Sequence, residues 1–268
     1  MATNQIRKII AIVLLMGFAM TGAVRDSGAA EPREVGIVLM HGKGGDTKWV
    51  DPLAEALRDE GYTVLVPDLA WHRNRIYDQT FDQAMAEIHG HVQRLRTEGK
   101  PLVVVAGHSL GAIAAAGYAA RHDDAAGIVL LAPGHFTAWP GFRAKVEDDV
   151  NKAAGMIANG QGEATSRFMD INGGKRDARI ISANIFHSWF APDGPAEFVR
   201  NMMEVKGGIP ILYVAGELDK IPQTKNPGYA FELAPANAKS KFVVLDDAKH
   251  LEVPRKAVAT VTGWLREL

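Results

Sequence analysis

The segment Gly107-His108-Ser109-Leu110-Gly111 follows the run Val103-Val104-Val105 and precedes an alanine-rich stretch that reaches Arg121. A buried strand thus hands over to a buried helix at a serine with glycine two positions away on either side. A serine hydroxyl is a weak nucleophile at neutral pH. To attack a carbonyl it needs a neighbouring base, a group that orients the base, and donors for the oxyanion that forms. A sharp strand-to-helix turn presents the hydroxyl and leaves no room for side chains at positions 107 and 111, which accounts for both glycines. The helix opening there also directs its free N-terminal N–H groups at the reacting centre.

Two later segments supply the remaining groups. "YVAGELDKIP" places Asp219 just past a strand, with Glu217 as a rival carboxylate on the same turn, and "VVLDDAKHLEVP" places His250 just past the next strand. Reactive groups of an open α/β sheet gather at the carboxyl ends of its strands, so Ser109, the carboxylate and His250 are expected on one edge. Upstream, "IVLMHGKGGD" ends a strand in His41-Gly42-Lys43-Gly44-Gly45. That turn can aim a backbone N–H at the oxyanion, with the N–H of Leu110 as its partner. His41 is expected to brace the turn, and neither it nor His108 to carry protons. His89 and His91 stand two apart in a helical pattern and do not share a face, so no metal site is expected there. Lys43, Lys48, Arg73 and Arg75 fall in loops on the same edge and would admit an anionic group on a substrate.

Those groups need a rigid frame. Val35 to Met40, Tyr62 to Pro67, Leu102 to Ala106, Gly127 to Ala132, Ile209 to Ala215 and Lys241 to Leu245 are apolar enough to be strands buried on both faces. Helical patterns separate them. Asp51-Pro52 reads as an N-cap followed by proline at the first helical position, and Thr80-Phe81-Asp82-Gln83 reads as a capping box before a stripe of Phe81, Met85, Ile88, Val92 and Leu95. The alternation predicts a mostly parallel sheet of about six strands with helices on both faces. It stops between Pro133 and Gly208, where Val146, Val150, Ala153 and Ile157 form one helical stripe and two more helical stretches follow around Ile180 to Trp189 and Ala196 to Met203. Residues 135–208 are therefore expected to form a helical cap. Its aromatics Phe136, Trp139, Trp189 and Phe190 either line an acyl pocket or pack the cap onto the main domain.

The whole chain has 268 residues, 47% hydrophobic and 23% charged, with a formal net charge of -1 and no cysteine. That is material for one globular domain with an insertion. Basic residues are not gathered into a block, which argues against a nucleic-acid partner. The absence of cysteine removes disulfides, thiolate metal sites and a cysteine nucleophile. Arg7 and Lys8, the apolar run Ile9 to Met20 and the small-residue stretch ending in "SGAA" follow the secretory layout, and the apolar run is too short to span a bilayer, which takes about 20 residues. Residues 1–30 are read as a signal peptide and 31–268 as an exported mature chain, periplasmic or secreted, with no stable membrane insertion.

From about Val35 to Leu268, on "LMHGKGG", "GHSLG", "GELDKIP" and "AKHLEVP", the chain resembles the α/β-hydrolase superfamily in its lipase/esterase-like branch. The resemblance implies the α/β-hydrolase fold, Ser109 as nucleophile, His250 as base, Asp219 as the acid that orients it, and the N–H groups of Lys43 and Leu110 as the oxyanion hole. It also implies an ester as substrate and no metal or organic cofactor. Two departures stand out: too few residues precede Val35 for the two extra strands such proteins often carry, and Lys249 occupies the position before the histidine where glycine is common. The same residues would serve a thioesterase, a peptidase or an acyltransferase, and a binding protein could keep the fold without the reaction.

Overall fold

The computed structural model describes residues 31–268, so the expected signal segment lies outside the described residues. Six parallel strands form one sheet: β1 (Val35–Met40), β2 (Thr63–Leu65), β3 (Leu102–His108), β4 (Gly127–Leu131), β7 (Ile211–Gly216) and β8 (Lys241–Leu245). Their spatial order is β2-β1-β3-β4-β7-β8. The chain runs outward from β1 to β2, then returns to place β3 on the other side of β1. The order reverses at that β1/β3 boundary, where the loops beyond the strand ends part and leave a crevice.

Strand alternation divides the core in two. Ile37, Leu39, Val104, Ala106, Val129 and Leu131 face one side with Leu53 and Leu57 of α1 (Asp51–Asp59) and Val261, Trp264 and Leu265 of α8 (Val258–Leu265). Val38, Met40, Val103, Val105, Ile128 and Leu130 face the other side, against α2 (Phe81–Thr97) and α3 (Leu110–Arg121). Both faces are covered, which is why these strands read as continuous apolar runs. The capping box of α2 forms as expected, with Thr80 accepting from the Gln83 N–H. Helix α1 starts one residue earlier than expected: Val50 is the N-cap and Asp51 lies in the first turn, where its carboxylate still favours the positive helix end. The last helical stretch is split into α7 (Val253–Lys256) and α8.

Residues 135–208 depart from an all-helical cap. Helix α4 (Pro140–Ala158) carries the expected stripe, but an antiparallel hairpin follows, β5 (Thr165–Asn172) with β6 (Lys175–Ser182), before α5 (Ala183–Phe190) and α6 (Phe198–Met203). Asn172 pairs with Lys175 across Gly173-Gly174, both with positive φ (56° and 80°), as a two-residue hairpin turn requires. Ile180 to Ser182, expected in a helix, are the end of β6, and Ser182 caps α5 by accepting from the Ile185 N–H. The Asn-Gly-Gly sequence was the available signal for the hairpin. Its strand periodicity is hidden because the buried positions of β5 include Asp170.

Glycine tolerance follows directly from this packing. A Cβ at Gly107 would meet the Gly111 backbone at 2.2 Å, whereas one at Gly90, inside α2, meets nothing within 4 Å. Gly90→Ala is expected to stabilise by about 0.5–1 kcal/mol through helix propensity, and Gly107→Ala to destabilise by at least about 3 kcal/mol or to prevent folding. Urea unfolding of the two variants checks the contrast; equal effects would refute it.

Candidate active site

Ser109 joins the end of β3 to α3 as its N-cap, and its φ of 57° and ψ of -114° put a non-glycine residue in a strained conformation. The strain persists because the turn is held from both sides. Ser109 N–H donates to the Leu131 carbonyl (2.9 Å), and all of α3 but Arg121 is buried. A Cβ on Gly111 would lie 2.7 Å from the Met40 carbonyl oxygen and 2.8 Å from that of His41, so the first turn of α3 sits directly on the end of β1.

The three side chains are brought into one hydrogen-bonded chain. His250 Nε2 lies 3.0 Å from Ser109 Oγ, and His250 Nδ1 lies 2.7 Å from Asp219 Oδ2. The Asp219 carboxylate is fully buried and its other oxygen accepts the Ile221 N–H at 2.9 Å. Glu217 points elsewhere: it is exposed, and its carboxylate accepts the Asp247 N–H. Such a chain lets the imidazole take a proton from the hydroxyl while the carboxylate stabilises the resulting cation. Lys249, in the glycine-preferred position, is exposed, and its N–H donates to Glu252 in the short turn that carries His250.

His108 does structural work behind this site. Its ring is buried, and Nε2 donates to the His250 carbonyl (3.0 Å), tying the end of β3 to the histidine loop. Burial, then the neighbouring His250, lowers its pKa to about 3. His41 is buried too, and burial lowers its pKa. The Leu69 N–H donates to His41 Nε2 (3.4 Å), which leaves Nδ1 as the protonated nitrogen donating to the Gly42 carbonyl (2.9 Å). In a trans peptide the Gly42 carbonyl and the Lys43 N–H point in opposite directions, so this bond sets the direction of the Lys43 N–H. Neither the Lys43 nor the Leu110 N–H has an acceptor among the described residues. A Cβ on Gly42 would fall 3.3 Å from that of Ser109, which puts this loop against the hydroxyl.

Ser109, Asp219 and His250 open on a cavity of about 820 Å³ whose walls include Trp139, Phe142, Ile171, Ile221 and Leu251. Of the four candidate aromatics only Trp139 lines it. Phe136, Trp189 and Phe190 are buried behind the wall, Trp189 against Trp71, Tyr77 and Phe81, Phe190 against Phe142 and Phe186, and Phe136 against Phe198 and Tyr229. Phe142 lines the cavity in their place, and Gly134 was also missed: a Cβ there would lie 3.1 Å from Ser109 Oγ. The expected basic groups are all committed to carboxylates, Lys43 to Asp170, Lys48 and Arg73 to Asp46, and Arg75 to Asp78 and Glu87. Positive charge on the cavity comes instead from the exposed Lys145, Lys220 and Lys249.

Away from this cavity, His89, His122 and Asp124 bring ligand-type atoms within 4.8 Å, whereas His91 takes no part. The two rings stack face to face (centroids 4.4 Å, interplanar angle 10°), which keeps their in-plane lone pairs from converging, and Asp124 already accepts from Tyr118 and Gln93.

A model of the alpha/beta hydrolase family matches residues 37–261, and the chain belongs to that family. No curated protein matches it by sequence. Among solved structures it is similar to a member of the metagenome-derived lipolytic enzymes LipS and LipT (17% identity over 90% of this chain and 96% of that one, TM-score 0.62). It is also similar to a monoacylglycerol lipase of Paleococcus ferrophilus (20%, 90% and 97%, TM-score 0.60) and to Est1E of Butyrivibrio proteoclasticus with bound ferulic acid (18%, 87% and 86%, TM-score 0.56). At these identities the likeness is one of fold. No helix among the described residues is long and apolar enough to cross a membrane.

The buried imidazoles have a consequence for acid stability. Unfolding exposes His108 to water, where its pKa returns to near 6.5. Between that value and about 3 the unfolded chain binds a proton that the folded chain refuses, so stability falls as pH is lowered through this window. His108 alone contributes a slope of up to about 1.4 kcal/mol per pH unit, and His41 and His135, also lowered by burial, act in the same direction. Urea unfolding at about pH 7, 6 and 5 is expected to show this loss, with a shallower slope in His108→Gln. A pH-independent midpoint would overturn the assignment.

Proposed function

We propose that this protein is an exported serine hydrolase that cleaves carboxylic esters through an acyl-enzyme on Ser109. The observation that carries the proposal is the chain Ser109 Oγ–His250 Nε2–Asp219 at 3.0 and 2.7 Å, opening on a cavity with mainly apolar walls. Ser109 Oγ attacks the ester carbonyl carbon and its proton passes to His250 Nε2. Asp219 holds the ring in the required tautomer and stabilises the imidazolium. The carbonyl oxygen gains the negative charge and is met by the N–H groups of Lys43 and Leu110, reinforced by the N-terminus of α3. Collapse of the tetrahedral species breaks the bond to the alkoxide, which leaves as the alcohol with the proton from His250. Water, deprotonated by His250, then attacks the acyl carbon and releases the carboxylic acid and Ser109.

Ester chemistry is favoured over amide by the cavity, whose apolar walls suit an acyl chain or an aromatic alcohol, and by the lipolytic and esterase structures of the same fold. Thioesters suit the same groups and belong in the test. Export rests on the layout of residues 1–30. Intact-mass measurement of protein from its native host, starting near Glu31, supports it; a retained segment refutes it.

A panel of esters and thioesters of graded acyl length, beside amides, tests the activity. Ser109→Ala is expected to lower turnover by several powers of ten and to abolish labelling by a fluorophosphonate, with the fold intact. Asp219→Asn should lose orders of magnitude, and Glu217→Gln little. Near wild-type turnover in Ser109→Ala would overturn the proposal.

Pocket-lining and packing aromatics are expected to separate in the same panel. Trp139→Ala or Phe142→Ala should shift the preferred acyl length, by about 1–3 kcal/mol in discrimination. Trp189→Ala should leave the ranking alone and cost about 3–5 kcal/mol of stability. An acyl-length shift in Trp189→Ala with no such loss would reverse the assignment.

A further inference from the structure

Lys43 is held in an unusual way for a loop residue. Its side chain crosses to the cap, where Nζ donates to Asp170 Oδ1 (2.7 Å) and to the Ile171 carbonyl (2.9 Å), over the faces of Phe190 and Phe142 at 5.1 and 5.5 Å. Its own carbonyl accepts from Asn172 Nδ2 (3.2 Å). Three successive residues of β5 thus grip one residue of the loop after β1. The rest of the loop is fixed from the main domain: Trp71 Nε1 donates to the His41 carbonyl (2.8 Å), the Gly44 N–H to the Trp71 carbonyl (2.9 Å), and the Arg73 N–H to the Gly45 carbonyl (3.1 Å).

The ion pair is almost dry, with side-chain exposures of 6% for Lys43 and 0% for Asp170. Taking both charges out of water is costly, and well-packed apolar residues would serve stability as well or better. A buried pair in that position has its clearest use in fixing geometry. It joins the β5–β6 hairpin, the part of the cap that helical periodicity does not announce, to a residue whose N–H is one of the two expected oxyanion donors. The grip also bars the hairpin from swinging aside as a free lid, since opening would strip Lys43 of its side-chain and carbonyl partners.

Resting on the serine-hydrolase reading above, we infer that Asp170 and Asn172 are positioning residues that act through Lys43: the cap hairpin sets the place of one oxyanion donor, in addition to walling the cavity. The Gly42–Lys43 peptide is oriented by His41 on one side, and the Lys43–Gly44 peptide by Asn172 and Trp71 on the other. Loosening the β5 side lets the Lys43 N–H drift from the position the oxyanion occupies. A loss of alignment at this donor weakens the transition state and leaves substrate binding nearly unchanged.

The test compares Asp170→Asn and Asn172→Ala with wild type on a short-chain ester, measuring kcat, KM, the inhibition constant of a trifluoromethyl ketone that forms a tetrahedral adduct, and the melting temperature. Asp170→Asn is expected to lower kcat by about 10- to 100-fold with KM within about twofold, and to weaken the ketone by a similar factor. Asn172→Ala, at an exposed position that does not threaten folding, should move kcat and the ketone together by a few-fold. A fall in melting temperature with unchanged kcat per folded molecule, or a rise in KM alone, would overturn the inference. Ser109→Ala is the control that separates the two claims: an active Ser109→Ala refutes the hydrolase reading, whereas an inactive Ser109→Ala beside fully active Asp170→Asn and Asn172→Ala refutes the positioning role alone.

Discussion

The site depends on one steric constraint, the contact of three backbone segments at the end of β3. Gly107, Gly111 and the carbonyls of Met40 and His41 lie so close that a methyl group at either glycine would be 2.2–2.8 Å from backbone atoms. This approach places the first turn of α3 over the ends of β1 and β3, at the point where strand order reverses. Ser109, the N-terminus of α3 and the glycine-rich loop after β1 therefore occupy one small volume. The contact forces Ser109 into a conformation costing on the order of 1–3 kcal/mol. A helix buried along nearly its whole length, in a sheet covered on both faces, supplies the rigidity that sustains it.

Around that contact the protein separates two kinds of polar group. His41 and His108 are buried, kept neutral by burial and used as fixed hydrogen-bonding struts, one on the glycine-rich loop after β1 and one on the histidine loop. His250 is the partly exposed imidazole facing the cavity, paired on both nitrogens with groups that can exchange or stabilise a proton. Three histidines within one site thus differ in role because they differ in solvation and partners. The cap adds a third arrangement, a dry ion pair whose lysine is pushed down by burial while Asp170 opposes the shift.

The cap is also where the molecule balances apolar and polar burial. Phe168, Phe186, Phe190 and Phe142 form a stacked series between the hairpin and α4, with centroid separations of 4.4–6.3 Å. The Lys43 ammonium lies over two of these rings, so the aromatic stack serves as packing and as a partner for a desolvated cation. The cap, the loop after β1 and the cavity wall consequently share residues.

What the sequence determined by itself is what local chemistry imposes. The strands were readable as apolar runs because the four central ones are buried on both faces, while the edge strands β2 and β8 are only partly covered, and the serine turn was readable because only glycine fits at 107 and 111. Asp219 and His250 were readable because strand ends in a parallel sheet fall on one edge. Asp170 was not, because an aspartate in a strand looks solvent-facing until Lys43, 127 positions away, arrives to neutralise it. That buried charge also broke the apolar alternation, so β5 went unread despite the Asn-Gly-Gly turn, and the end of β6 from Ile180 was put in a helix. The choice between Asp219 and Glu217, two carboxylates on one turn, rested on which of them points inward. Likewise, nothing in an aromatic side chain tells whether it will line a cavity or stand one layer behind it. Trp139 and Trp189 differ only in the neighbours that folding brings to them, and those neighbours are distant in the chain.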